Sequence, residues 1–343
     1  RICDGALEIM NEYHLRTYGN PSASYRFASA ARAGLDEARS AIAGRISALP
    51  EEICFTSGGT EGNNLAIAGC MRAMPKDKKH LILSSIEHSS VLGCVGTLQE
   101  EGFCISFARC DEAGEVKVSE VEKLIRPDTA LISVMYANNE VGTINDVQAI
   151  GSLAHERGIL FHTDAVAAAG YLKVDVQTEH IDLMTVSAHK FHGPKGAGFL
   201  YVREGTPVAP LIYGGSQERG LRSGTENVPA IMGMARAYAL CQDELDKQNL
   251  TLRELKTLFL EELKRHFPDV KINGSDERSL PGTVHFSLPG MSSDRLIMYL
   301  DMEGIMLSSG AACNSRDGKA SHVLRAMGLA DRYLDSSVRA TLS

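Results

Sequence analysis

No stretch of this 343-residue sequence approaches the ~20 consecutive apolar residues of a membrane-spanning helix, and its opening residues do not read as a secretory leader. A long basic run is missing too. The formal net charge is −8, so neither a nucleic-acid surface nor a membrane surface is expected as a partner. The eight cysteines, at 3, 54, 70, 94, 104, 110, 241 and 313, never form a C-x-x-C pair. That removes the usual zinc-ligand spacing and a compact disulfide framework, so no metal site is expected. They read as the reduced thiols of a cytoplasmic protein, most of them buried as small apolar side chains. Cys313 stands apart, because it follows two alanines and precedes the polar run NSRDG. Internal repeats and low-complexity linkers are absent as well.

What is present is ordinary for a globular protein: 44% hydrophobic and 23% charged residues, enough to cover substantial cores in two domains. The chain begins at Arg1 rather than methionine and stops at Ser343, so both ends are expected to be trimmed. Short apolar runs at 80–86, 129–136, 158–164, 182–188 and 197–202 predict buried strands. Helix-period stretches separate most of them, such as VQAIGSLAHERG at 147–158, which stops on Gly158. Strands alternating with helices predict a mostly parallel sheet covered on both faces, an α/β fold. The character changes near 229, where a long helical stretch leads into strand-like VKING and GTVHFSL and helix-like SDRLIMYLDMEG. This predicts a second, smaller α/β lobe beginning near 246.

Three segments carry chemistry. FTSGGTEGNNLAIAGC (55–70) reads as strand, glycine turn and helix, whose backbone N–H groups suit a phosphate. It matches neither G-x-x-x-x-G-K-[ST] nor G-x-G-x-x-G, so the nucleotide fingerprints do not apply. FHTDAVAAAG (161–170) puts Asp164 at the end of a buried run, where a carboxylate needs a cation or hydrogen-bond donors. Taken alone, Asp164 reads more readily as a helix N-cap, and only the pairing with Lys190 on the next apparent strand changes that. SAHKFHGPKGAG (187–198) delivers Lys190 to a glycine-lined spot at the end of another apparent strand. A phosphate cradle, an acid and a lysine at successive strand ends are the set that a pyridoxal cofactor requires: a lysine for the Schiff base and an acid beside the ring nitrogen.

The motifs TSGGTEGNN, EHSS, YANNEVGT, HTDAV, SAHKFHGPKGAGFLY, GGSQERGLRSGTENV, SSGAACNS and SSVRATLS occur in the order seen in cysteine desulfurases. The chain thus resembles that family, part of the class-V aminotransferase branch of the fold-type I pyridoxal 5'-phosphate enzymes, over nearly its whole length. The resemblance implies a large cofactor domain over 16–245 and a small domain of 1–15 and 246–343 that carries the cysteine loop. It implies Lys190 as the Schiff-base lysine and Asp164 as the acid at the ring nitrogen. Gly59, Thr60, Ser187 and His189 match phosphate binders, and Thr225 matches a threonine supplied by the neighbouring subunit of a homodimer. His88 matches the histidine that stacks on the cofactor and handles protons. Asn139 borders the cofactor and, with Arg339, matches the pair holding the substrate carboxylate, a task for which a planar guanidinium fork is suited. Cys313 matches the nucleophile that takes sulfur from L-cysteine as a persulfide, with L-alanine released. The long cysteine loop resembles the group that feeds iron–sulfur cluster assembly and tRNA thiolation, which implies a sulfur-acceptor protein.

Departures from the family pattern keep other readings open. Ala167 stands where the family has a glutamine that donates toward the cofactor's phenolic oxygen, and the loop reads SSGAAC rather than SSGSAC. A selenocysteine lyase, a class-V transaminase that has no use for Cys313, and a weakly catalytic sulfur-relay scaffold are the alternatives.

Overall fold

The computed structural model describes residues 1–309 and 321–342. Seven strands form the main sheet: β1 (Ile53–Thr56), β2 (His80–Ser84), β3 (Cys104–Ala108), β4 (Thr129–Ser133), β5 (Leu160–Asp164), β6 (Leu183–Ser187) and β7 (Gly198–Val202). Their order is β1-β7-β6-β5-β4-β2-β3. Every neighbouring pair from β3 to β6 is parallel, and only β7 runs against its neighbours β6 and β1. The apolar runs read from the sequence are the central strands, and β2, β4, β6 and β7 are buried at every residue. Burial on both faces explains why they show continuous apolar runs rather than alternation. Successive side chains still go to opposite sides: Leu81, Leu83, Leu131 and Leu200 enter one core, while Ile82, Ile132, Phe161 and Phe199 enter the other. Strand β3 had no apolar run to announce it, because it lies at the sheet edge with only Ala108 buried. Cys54, Cys70, Cys94 and Cys241 are buried, as expected of most of the cysteines, whereas Cys104 on that strand is exposed.

Helix Val147–Glu156 is capped by the Asp146 carboxylate, which accepts from Ala149 N, and ends before Gly158 at φ +62°, as the sequence predicts. The long helical stretch after 228 is two helices, Val228–Asp243 and Leu245–His266, because it serves two cores. The first lies along helix Asp4–Leu15, where a Cβ on Gly233 would come within 2.6 Å of Met10 Cγ. The second sets Phe259, Leu260 and Leu263 on the separate antiparallel sheet of β8 (Lys271–Asn273), β9 (Thr283–Ser287) and β10 (Ser337–Thr341), ordered β10-β9-β8.

Candidate active site

Apart from Thr225, Arg339 and Cys313, the sequence-predicted site residues come from carboxyl ends of the main strands, the usual ligand side of such a sheet. After β1 the chain turns at Gly58, at φ +143°, into a helix starting at Gly59. A Cβ on Gly59 would lie 2.8 Å from Val166 Cγ2, and Gly198 passes so close that its Cβ would lie 2.7 Å from Gly58 Cα. Side chains would fill this cradle, so glycine is required there. The helix continues through a π turn at Leu65–Gly69 to Ala73, and its opening N–H groups at Gly59 and Thr60 precede any helical acceptor. Across the cradle, Ser187 Oγ is 2.9 Å from His189 Nδ1 and 3.5 Å from the Cβ position of Gly58.

Asp164 ends β5 with 4% of its surface exposed. Its Oδ2 accepts from Asn63 Nδ2 at 2.6 Å and its Oδ1 from Val166 N at 2.9 Å. Burial pushes this carboxyl above its ordinary range, against the pull of those two donors and of the charges on His88 and Lys190. The group is therefore held in place while still favouring a cationic partner. Sequence reasoning missed Asn63, which also donates to Ser90 Oγ at 2.8 Å. Its signal was available, since a polar residue one turn after Gly59 on a helix entering the core needs a partner.

His88 caps the short helix after β2. Its Nδ1 accepts from Ser90 N at 3.1 Å and lies 2.8 Å from Ser90 Oγ. An accepting Nδ1 places the ring proton on Nε2. Lys190 sits on the one-turn helix Ala188–Phe191 after β6, where its charge acts on both Asp164 and His189. The turn at His192, φ +62°, redirects the chain into β7.

Arg339 reaches from β10 to donate through Nη1 to Asn139 O at 2.8 Å, joining the small sheet to the loop after β4. Thr225 is exposed and lines a cleft with Ser57 and Arg222. Arg222 pairs with Glu61 at 2.9 Å, fastening that loop beside the cradle. A buried Arg39–Glu218 pair at 2.8 Å anchors the same loop where Glu218 and Arg219 adopt left-handed backbone. Cys313 lies outside the described residues.

The description Aminotransferase class-V matches residues 1–343. The chain belongs to the class-V aminotransferase family. Cysteine desulfurase IscS of Dictyoglomus turgidum is 43% identical over 335 residues, covering 98% of this chain and 85% of that protein. A putative cysteine desulfurase IscS 1 of Bacillus subtilis is 43% identical over 334 residues, covering 97% and 88%. Among solved structures, a NifS-like protein superposes with a TM-score of 0.94 at 36% identity, covering all of this chain and 91% of that one. The structure described as SspA in complex with cysteine gives 0.87 at 34% identity, covering 99% and 95%.

Members of this family depend on pyridoxal phosphate, and this class-V aminotransferase is a pyridoxal-phosphate-dependent enzyme. The residues fit that cofactor by their own chemistry. A cradle that a Cβ would fill accepts an anion, a buried carboxyl favours a cationic ring nitrogen, and a lysine stands at the adjacent strand end. Asn63 Oδ1 is in addition buried without a hydrogen-bond partner, as befits a site whose polar surroundings are completed by a ligand.

Proposed function

We propose that the chain is a cysteine desulfurase, converting L-cysteine to L-alanine and leaving the sulfur as a persulfide on Cys313. The observation that carries this is the Arg339–Asn139 bond. It joins a guanidinium suited to a carboxylate to the loop after β4, the neighbour of the strand that ends at Asp164, and Arg339 also pairs with Ser308, just before the Cys313 segment. The names of the relatives support the same reading.

Lys190 would hold the cofactor covalently, with Gly59, Thr60, Ser187 and His189 on its phosphate and Asp164 at its ring nitrogen. When bound, the cofactor supplies an electron sink for the bonds broken at the substrate carbon. Asp164 would hold a proton at the ring nitrogen, its carboxyl group kept in place by the Asn63 and Val166 donors. Arg339, with Asn139, orients the substrate carboxylate. His88 Nε2 and Lys190 Nζ move protons to and from the substrate. The Cys313 thiolate attacks the substrate sulfur: the S–S bond forms, the C–S bond breaks, and the carbon gains the proton that completes alanine.

A homodimer that lends Thr225 to the partner's phosphate, a cytoplasmic setting, and a sulfur acceptor from iron–sulfur assembly or tRNA thiolation belong to the same proposal. Among the described residues no helix is long and apolar enough to cross a membrane. We draw the domain boundary at the break between the helices Val228–Asp243 and Leu245–His266, with 246–343 as the small domain. The packing of residues 4–15 on the first of these helices favours grouping the opening residues with the large one. A sulfur-relay scaffold is favoured over full catalysis by one feature, the methyl group at Ala167. Mass spectrometry after cysteine addition separates the readings. Added sulfur on the Cys313 peptide together with alanine release is expected, and both are lost in Cys313→Ser while the cofactor's colour remains. Alanine release at the parental rate by Cys313→Ser sinks the proposal.

A further inference from the structure

The turn after Asn138 is fixed from several sides. Asn138 Oδ1 accepts from Glu140 N at 2.9 Å and from Val141 N at 3.0 Å, and its amide donates to Ile86 O at 3.1 Å. Glu140, which no part of the mechanism above uses, is 1% exposed. Its Oε2 accepts from Ser321 Oγ at 2.5 Å. Ser321 is the first described residue after the segment bearing Cys313, and its oxygen also caps the next helix by accepting from Leu324 N at 3.3 Å. The following His322 lies with Nε2 at 2.9 Å from Glu87 O, an acceptor, so Nε2 carries the proton. On the other flank, Ser308 and Arg339 exchange backbone hydrogen bonds of 2.7 and 3.2 Å. The two flanks of the Cys313 segment are therefore fastened to neighbouring points: one through Arg339 to Asn139, the other directly to Glu140.

We propose that Glu140 and Ser321 form a positioning clamp, which fixes where the Cys313 segment rejoins the fold relative to the substrate-carboxylate pair Asn139 and Arg339. The proposal rests on the desulfurase reading. A short hydrogen bond shielded from water is stronger than one in water, so it holds geometry that a water-exposed serine could not. Burial raises the Glu140 carboxyl, whereas the Ser321 hydroxyl and the nearby charges of His322, Arg339 and His88 draw it back toward ionisation. Removing the hydroxyl leaves a buried carboxyl group that has lost a donor, which makes Ser321→Ala informative although it deletes only one oxygen.

The test uses the cofactor-loaded protein with Ser321→Ala, Glu140→Gln and the conservative Ser321→Thr. Single-turnover persulfide formation on the Cys313 peptide is expected to slow at least about tenfold in the first two. The cysteine-induced change in cofactor absorbance is expected to keep its parental midpoint, and Ser321→Thr to keep most of the rate. A helix cap alone would lower the melting temperature of Ser321→Ala without this split. Iodoacetamide labelling of Cys313, read without cysteine, is the second arm. A rate change of threefold or more in Ser321→Ala supports the clamp even where the parent forms no persulfide, a result that would overturn the desulfurase reading alone. Parental labelling rates in both Ser321→Ala and Glu140→Gln overturn the clamp, as do parental persulfide rates in a parent that desulfurates.

Discussion

Around Asp164 the molecule is closed: the flanking strands are buried residue by residue and both carboxylate oxygens have donors. Around helix Ser293–Met302 it is open, with Ser293 the only buried residue and Met298, Tyr299 and Met302 more than 60% exposed. On the proposed reading, Arg339 of the small sheet that this helix borders serves the same site as Asp164. The parallel sheet fixes Lys190, Asp164 and His88 through its own hydrogen-bonded frame, whereas the small sheet meets the loop after β4 through polar contacts such as Arg339–Asn139, and Leu280, Val323, Leu324, Met327 and Leu334 beside it pack in the main core. The contrast fits the proposed division of labour: a closed, rigid side for the cofactor, and a more open side for the substrate carboxylate and the departing sulfur.

The largest break in this comparison is expected on the rigid side. Lys190→Ala, stripped and reloaded, is expected to lose the visible absorbance of the bound cofactor, borohydride labelling and alanine release down to background. Labelling that persists on another lysine would remove Lys190 from the site. A smaller break is expected at the joint. Arg339→Lys keeps the charge but loses the fork, and a charge-assisted hydrogen bond is worth ~1.5–3 kcal/mol. KM for cysteine is expected to rise ~10–100-fold, by the rule that 1.4 kcal/mol is tenfold, with kcat changing less. An unchanged KM would place the carboxylate elsewhere.

Stability against pH sharpens the comparison further. Glu87 is fully buried beside His88; its Oε1 accepts from Ser84 Oγ at 2.6 Å and Met135 N at 2.7 Å, while Oε2 has no partner. Burial pushes it from 4.5 up to about 8, with Asp164 adding to the rise. An acid raised in the folded state binds more protons there than when unfolded. Its stabilising protonation is therefore fully present below about 4.5 and is lost as pH rises to about 8. At ~1.4 kcal/mol per unit the effect is on the order of a few kcal/mol. Glu87→Gln is expected to flatten the fall in melting temperature between pH 5 and pH 8 by several degrees. An equally steep fall in that variant would mean that Glu87 is ionised in the fold.

The two regions also differed in how legible they were. Apolar runs announced β2, β4, β5, β6 and β7 because strands buried on both faces leave that pattern, and the glycines of TSGG marked the cradle. Edge strand β3 left no such trace, since most of its side chains face water at least in part. The break at Glu244 was hidden because both helices share one helical period and only their cores differ. Lys190 and Asp164 were legible as chemistry held at strand ends. Asn63, Ser90, Glu140 and Ser321 were not, because their importance lies in partners distant in sequence, up to 181 positions apart for the last pair.

The smallest expected effect tests how complete the rigid side is without one of its usual donors. Ala167 follows Asp164 in the turn after β5, half-buried, and its methyl group offers no hydrogen bond. A glutamine there would add one neutral hydrogen bond, worth ~0.5–1.5 kcal/mol net. Covalent attachment, the anion cradle and the buried acid do not depend on it. Ala167→Gln is therefore expected to leave cofactor occupancy unchanged. It should move the pH midpoint of the cofactor's visible band by less than about one unit, the equivalent of 1.36 kcal/mol. The rate of alanine release should change by less than about tenfold, which is the same free energy expressed as a rate. If the parent instead purifies without cofactor and only Ala167→Gln can be loaded, the closed side is not preorganised for the cofactor by its backbone and acid alone, and the sulfur-relay reading gains.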